Sequence, residues 1–230
     1  MEFRLIYEGP LPAEKCEETG KRGRAREKQE LRKHFHKQLR EFWRQHPDLK
    51  RQAESDFVII TTPENMTSYP GPNYRMIYPT GLGMTAEQQS RAKTWVDHIA
   101  DDHQRCGGRF VPLISATGGF TCALDVLFLR RDNPGYLIED GGDIDNRIKV
   151  LFDGLRMPKT VNELGGLPIE ADEDPFYCLL EDDKLITSVS VTTDRLIVPK
   201  RAEENVNDVI LVIHVTVMNP SAVFAGGRLV

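Results

Sequence analysis

The run from Asp145 to Leu155 constrains the fold of this chain more than any other stretch. On a helix at about 100° per residue, Leu151, Leu155, Ile148 and Phe152 fall at roughly 240°, 280°, 300° and 340°. They make one apolar stripe, so the segment must lie against a core. Asp145, Lys149 and Asp153 fall at roughly 0°, 40° and 80°, a row of alternating charge beside the stripe. Asp143 stands just ahead of the helix, and Asp145 is expected as its N-cap. Strand-like runs flank it: Thr121 to Arg131 before, Leu185 to Thr193 and Asp208 to Met218 after.

The rest of the chain extends this frame. Phe3 to Tyr7 reads as a first strand ending at Gly9-Pro10, and residues 15–25 as a polar loop. Arg26 to His46 is helical by pattern, with Leu31, Phe35, Leu39 and Phe42 on one face and Arg32, Lys33, Lys37, Arg40 and Arg44 outside. Trp43 belongs to the core by the same pattern, and Pro47 ends the helix. Asp56 to Thr62 reads as a buried strand, and residues 63–84, rich in proline and glycine, as a long loop. Tyr69, Tyr74, Arg75 and Tyr78 interleave rings and charge there, as single-strand binders do. Thr85-Ala86-Glu87-Gln88 resembles a capping box opening a helix through about His103. Phe110 to Ser115 and Thr121 to Arg131 read as a hairpin around Gly118-Gly119, with Cys122, Leu124, Val126 and Phe128 inward and Asp125 on the other face. Residues 157–178 read as an insertion loop, and residues 220–230 as a loosely held tail. The expected fold is one mixed α/β (α+β) domain over residues 1–230, a small sheet with packed helices.

Charge is unevenly spread. Lys15 to Arg51 carries 13 Lys/Arg against 6 Asp/Glu, so with a net charge of −5 the remainder holds −12. A basic arm beside an acidic body suits a protein that grips phosphate with one surface and metal with another; a solvated helix explains the arm equally. The four cysteines form no C-x-x-C pair, which points to free thiols in a reducing cytosol and away from zinc. His34, His36 and His46 lack nearby acidic or Cys partners for a metal site. The longest apolar run, Val209 to Met218, is too short to span a bilayer, and the Met-Glu-Phe-Arg start lacks a secretory signal, so a cytoplasmic, non-membrane protein is expected.

Asp143-Ile144-Asp145-Asn146 opens like an EF-hand loop, but Ile148 and Gly154 occupy the positions that loop reserves for Gly and Glu. P-loop, dinucleotide and nucleophile-elbow signatures are absent. Carboxylates without Cys or His partners favour Mg²⁺ or Mn²⁺ over zinc. Such sites generate a metal-bound hydroxide and steady a leaving phosphodiester oxygen, and a lysine such as Lys149 offsets phosphate charge. Spacing alone is equally satisfied by acids that merely cap and solvate a helix.

The run Asp143-x-Asp145-Asn146-x-x-Lys149-x-x-x-Asp153-x-Leu155, followed by Asp182-Asp183, resembles the signature of RusA-type Holliday-junction resolvases. The resemblance covers the first strand, the first helix and roughly residues 121–218. It implies Asp143, Asp145 and Asp183 as Mg²⁺ ligands, with Mn²⁺ substituting, and Lys149 as the phosphate-side catalyst. Asp182, Asn146 and Asp153 would support them. It also implies a small α/β fold, a symmetric homodimer and branched or structured DNA as substrate. Three features depart from the family. The chain is nearly twice the usual length, with residues 48–106 and 157–178 apparently inserted and available to a protein partner. Gly142 stands where a basic residue is familiar, so DNA contact is assigned to Arg130, Arg131 and Arg147. The body is acidic, which leaves Lys33, Lys37 and Arg40 on the first helix to grip phosphates. Two alternatives stay open: a non-catalytic DNA-binding or complex-forming relative, and a metal-dependent nuclease acting on RNA or flaps.

Overall fold

The last strand, β10 (Asp208–Met218), is the centre of the molecule's main sheet. In the computed structural model, which describes residues 1–12, 21–68, 75–80, 83–131, 144–197 and 207–219, β10 pairs antiparallel with β1 (Glu2–Pro10) on one side and β7 (Thr121–Arg130) on the other. β9 (Ile186–Arg195) lies parallel to β7 at the far edge, giving the order β1-β10-β7-β9. Alternation explains the pairing. Leu211, Ile213 and Val215 of β10 sit opposite Phe128, Val126 and Leu124 of β7, and all six are buried on one face.

Two helices cover that face. α1 (Lys21–Gln45) contributes Leu31, Phe35, Leu39 and Trp43, and α5 (Ile144–Leu155) contributes Ile148, Leu151 and Leu155, to a single apolar core. α5 lies in the connection between β7 and β9, which pair in parallel. At the open edge of β1 the Gln38 side chain stands in for a strand: its Oε1 accepts from the Ile6 N–H at 3.0 Å and its Nε2 donates to the Ile6 carbonyl at 2.6 Å.

Between α1 and β7 the chain forms α2 (Pro47–Glu54), β2 (Asp56–Thr61), β3 (Arg75–Pro79), α3 (Ala86–Ser90), β4 (Lys93–Thr94), α4 (Trp95–Asp102), β5 (Gln104–Arg105) and β6 (Gly108–Ile114). β3-β2-β4 make a second sheet; β5 and β6 make a third with β8 (Phe176–Leu180). The fold is therefore mixed α+β with three small sheets. Among the described residues no helix is long and apolar enough to cross a membrane.

Several expectations are corrected. α1 starts at Lys21, inside the segment read as a loop, and Arg32 is buried rather than outside. Pro47 ends α1 but also opens α2, where its missing N–H costs nothing. β2 is only partly buried, with Val58 its one fully buried residue. Residues 63–84 are not all loop, since Arg75–Pro79 pairs with β2. The capping box at Thr85 and Gln88 forms, yet its helix stops at Ser90, and α4 starts separately under Thr94. β6 and β7 are not a hairpin: β6 pairs in parallel with β8, a strand that begins inside the stretch read as an insertion loop. The tail at 220–230, and Tyr69, Tyr74 and Cys16, lie outside the described residues; Cys106, Cys122 and Cys178 are free thiols, as expected.

Candidate functional site

α5 carries the motif, and its two faces divide the labour. Asn146, Arg147, Ile148, Val150 and Leu151 point inward, while Asp145 and Lys149 are exposed. Asp145 is not the N-cap: the helix already includes Ile144, so its carboxylate lies in the first turn, where the helix dipole favours it. One turn on, Lys149 Nζ donates to Asp145 Oδ2 at 3.2 Å. Asp143, with Gly142, lies outside the described residues.

The opposite end of α5 is an ion-pair cluster that sequence reasoning missed. Asp153 accepts from Lys28 Nζ at 2.6 Å and from the buried Arg156. Burial alone would raise the Asp153 carboxyl, but the Lys28 hydrogen bond and the Arg156 charge hold it below its ordinary range. Arg156 also donates to Glu163 Oε2 and the Met157 carbonyl, at 3.0 and 2.9 Å. Arg32, wholly buried, donates to the Arg156 carbonyl at 3.1 Å and to Glu163 Oε2 at 3.0 Å. The signal was faint. Arg156 stands three residues after Asp153, but nothing local placed Arg32 or Glu163 beside it.

Asp182 and Asp183 do not begin a strand. Asp182 caps a single 3₁₀ turn, Asp183–Leu185, by accepting from the Lys184 N–H at 3.1 Å, and β9 follows directly. The turn packs on α5. Lys159 Nζ lies 3.1 Å from Asp182 and 3.6 Å from Asp183, and Arg156 Nε lies 3.9 Å from Asp183. Burial works to raise the Asp182 carboxyl; hydrogen bonds shared with Asp183, Lys184 and Lys159 outweigh it and hold Asp182 well below the usual carboxylate range.

An all-oxygen donor set suits Mg²⁺ or Mn²⁺. Asp145 is tied to Lys149 in the first turn of α5, whereas Asp183 lies beside Lys159 and Arg156, past the end of that helix. Among the described residues no three acidic, His or Cys side chains come together closely enough to hold an ion. The donor chemistry thus fits the expected metal; the full ligand set, with Asp143, extends beyond the described residues.

The assigned DNA-contacting residues do not share one surface. Arg147 is buried, donating to the Leu11 carbonyl at 2.7 Å and Asn207 Oδ1 at 3.2 Å, so it fastens α5 to the ends of β1 and β10. Arg130 is buried as well, and Arg131 half-buried. Lys33 pairs with Glu173 at 2.8 Å, and Arg40 donates to the Asp172 carbonyl at 3.0 Å, both holding the 170–174 segment against α1. Lys37 is exposed. Of the six, Arg130 and Arg147 are corrected to interior roles, because a guanidinium shielded from solvent cannot meet a phosphate backbone.

No protein-family model matches the chain, and no curated protein and no solved structure matches it either.

Proposed function

We propose that this chain is a divalent-metal-dependent endonuclease acting on branched or otherwise structured DNA. The observation that carries the reading is the placement of its motif. Asp145 and Lys149 are exposed one turn apart on the helix that joins parallel β7 and β9, and Asp182-Asp183 stand on the turn that packs on that helix just ahead of β9. A bound Mg²⁺ would supply an activated water and neutralise developing charge. Lys149 holds a cation beside the Asp145 carboxylate, ready to exchange that partner for a phosphate oxygen. Asp153 is locked by Lys28 and Arg156, which fixes the helix rather than the substrate. The working form in this reading is a cytoplasmic homodimer presenting two such sites to a four-way junction.

The test is nicking of labelled four-way junctions, flaps and RNA hairpins with Mg²⁺ or Mn²⁺, with dimer mass measured by sedimentation. Asp145→Asn should abolish cutting while leaving junction binding intact. Cutting by Asp145→Asn at the wild-type rate would sink the assignment. A second reading is a complex-forming protein without catalysis, favoured by Lys159, which already pairs with both Asp182 and Asp183. Metal-independent binding with no cleavage of any substrate would decide for it.

A further inference from the structure

The main sheet carries aliphatic side chains on a face where a solvated sheet ordinarily carries polar ones. Among the described residues, the helices that reach the sheet, α1 and α5, pack into the core on one face. The residues that alternate with that core lie on the other face, and the register sets them in rows across three strands. One row runs Glu8, Ile210, Leu129, and the next runs Ile6, Val212, Leu127. A third row runs Arg4, His214, Asp125. Ile6 is 54% exposed, and Ile210, Val212, Leu127 and Leu129 are half-buried. Five aliphatic side chains thus form one patch bordered by charge, the mark of a surface that meets a partner.

The bordering charges narrow the partner. Arg4 and Asp125 stand in one row, one strand to either side of β10. Both are exposed, and among the described residues neither forms an ion pair. They lie two strand spacings apart, about 10 Å, so each is left to look outward for its counterpart. A nucleic acid or an anionic membrane would meet Asp125, Glu2 and Glu8 around the patch, and like charges there oppose it. A second copy of the chain fits instead. A two-fold axis running along β10 exchanges β1 and β7 across the contact. It lays Ile6 on Leu127, Val212 on Val212 and Ile210 on Ile210, and it brings Arg4 of each copy to Asp125 of the other. His214 meets its twin, each with Glu2 3.3 Å away.

We propose that two copies of this chain pack face to face through the outward surface of the main sheet, as a symmetric sandwich about β10. The contact gives the homodimer of the functional reading its interface, and it rests on that reading only for the dimer's use. Dimer mass is read without metal or DNA, so dimerisation and cleavage can fail separately.

The test is sedimentation equilibrium of the full chain over the micromolar range, with folding checked by circular dichroism. Wild type should sediment as a dimer. Val212→Lys sets a lysine against its twin on the axis and should give a monomer. Asp125→Arg places a cation against Arg4 at two symmetric points and should weaken the dimer about tenfold. Adding Arg4→Asp to Asp125→Arg reverses both charges and should restore wild-type affinity, which a folding defect would not do. These two exposed positions decide the matter if Val212→Lys does not fold. Asp145→Asn should dimerise as wild type does. A wild-type monomer throughout the range overturns the proposal and leaves the patch to a different protein. A dimer that survives Val212→Lys in folded protein also overturns it, as does a charge-reversed pair no tighter than Asp125→Arg alone.

Discussion

Gly154 of α5 rests directly on Leu31 of α1: a Cβ built on the glycine would stand 2.7 Å from Leu31 Cγ and 3.1 Å from its Cβ. Leu31 is buried and has no room to yield. The two helices approach this closely only because residue 154 has no side chain. Gly154→Ala gains about 1 kcal/mol in helix propensity and incurs about 1–3 kcal/mol of overpacking. We expect a net loss of about 1 kcal/mol by urea denaturation, and a larger one for Gly154→Val. In a Leu31→Ala background the penalty of Gly154→Ala should disappear.

Arg156 serves three carboxylates, Asp153, Glu163 and Asp183, from a buried position. Arg156→Met should cost about 3 kcal/mol, because half-buried acids are left without their cation. Arg156→Lys should recover only part of that, since one ammonium cannot replace a planar fork of donors. Equal stability of Arg156→Met and wild type would remove this residue from the scaffold of the site.

His36 sets an acid limit on the fold. Burial, aided by the nearby Arg40 charge, pushes its imidazole down from 6.5 to about 4, and its Nδ1 accepts from the Tyr177 N–H at 2.8 Å while its ring stacks on Phe176. A group with a lowered cationic pKa binds its proton first in the unfolded chain. Stability therefore falls as pH drops from 6.5 to 4, by up to about 3 kcal/mol. Asp153, held below its ordinary 3.8, adds its own loss only at lower pH. His36→Gln, whose amide oxygen accepts the same N–H, should flatten the decline between pH 6.5 and 4.

Lys37 and Arg147 should separate phosphate contact from scaffolding. If the outer face of α1 grips DNA, Lys37→Ala weakens junction binding for all sequences and lowers the salt slope by about 1. Arg147→Ala should instead lower stability by about 2–4 kcal/mol, leaving the Leu11 carbonyl and Asn207 unpaired. An unchanged salt slope in Lys37→Ala would clear α1 of that role.

How much of this was legible in the sequence follows from where each signal lives. β10 and α5 were read correctly because their periods, two and 3.6, are written in their own residues. The β6–β7 hairpin was misread because Gly118-Gly119 signals a turn without saying which strands pair across it. Burial of Phe110, Val111, Pro112, Leu113 and Ile114 in succession is the mark of a strand covered on both faces, as parallel neighbours usually are. That run was the available clue, and it points to β8. Asp145 and Lys149 were placed by spacing alone. Arg32 was put on the outer face by the same wheel, because its partners Glu163 and Arg156 arrive from more than a hundred residues away. Local periodicity cannot register a cation that the tertiary fold pulls inside.

The pairing of β1 with β10 gives the chain a problem of timing. β1 leaves the ribosome some 200 residues before β10, its hydrogen-bonded neighbour in the sheet, a delay of roughly 10–40 s at ordinary elongation rates of 5–20 residues per second. For that interval its apolar side chains Leu5 and Tyr7 have no sheet to join. α1 follows within about a dozen residues, and it carries Gln38 and His34, both of which bond Ile6 in the finished fold. These two side chains are made long before the last strand, and they are the partners that α1 can offer the first one in the meantime.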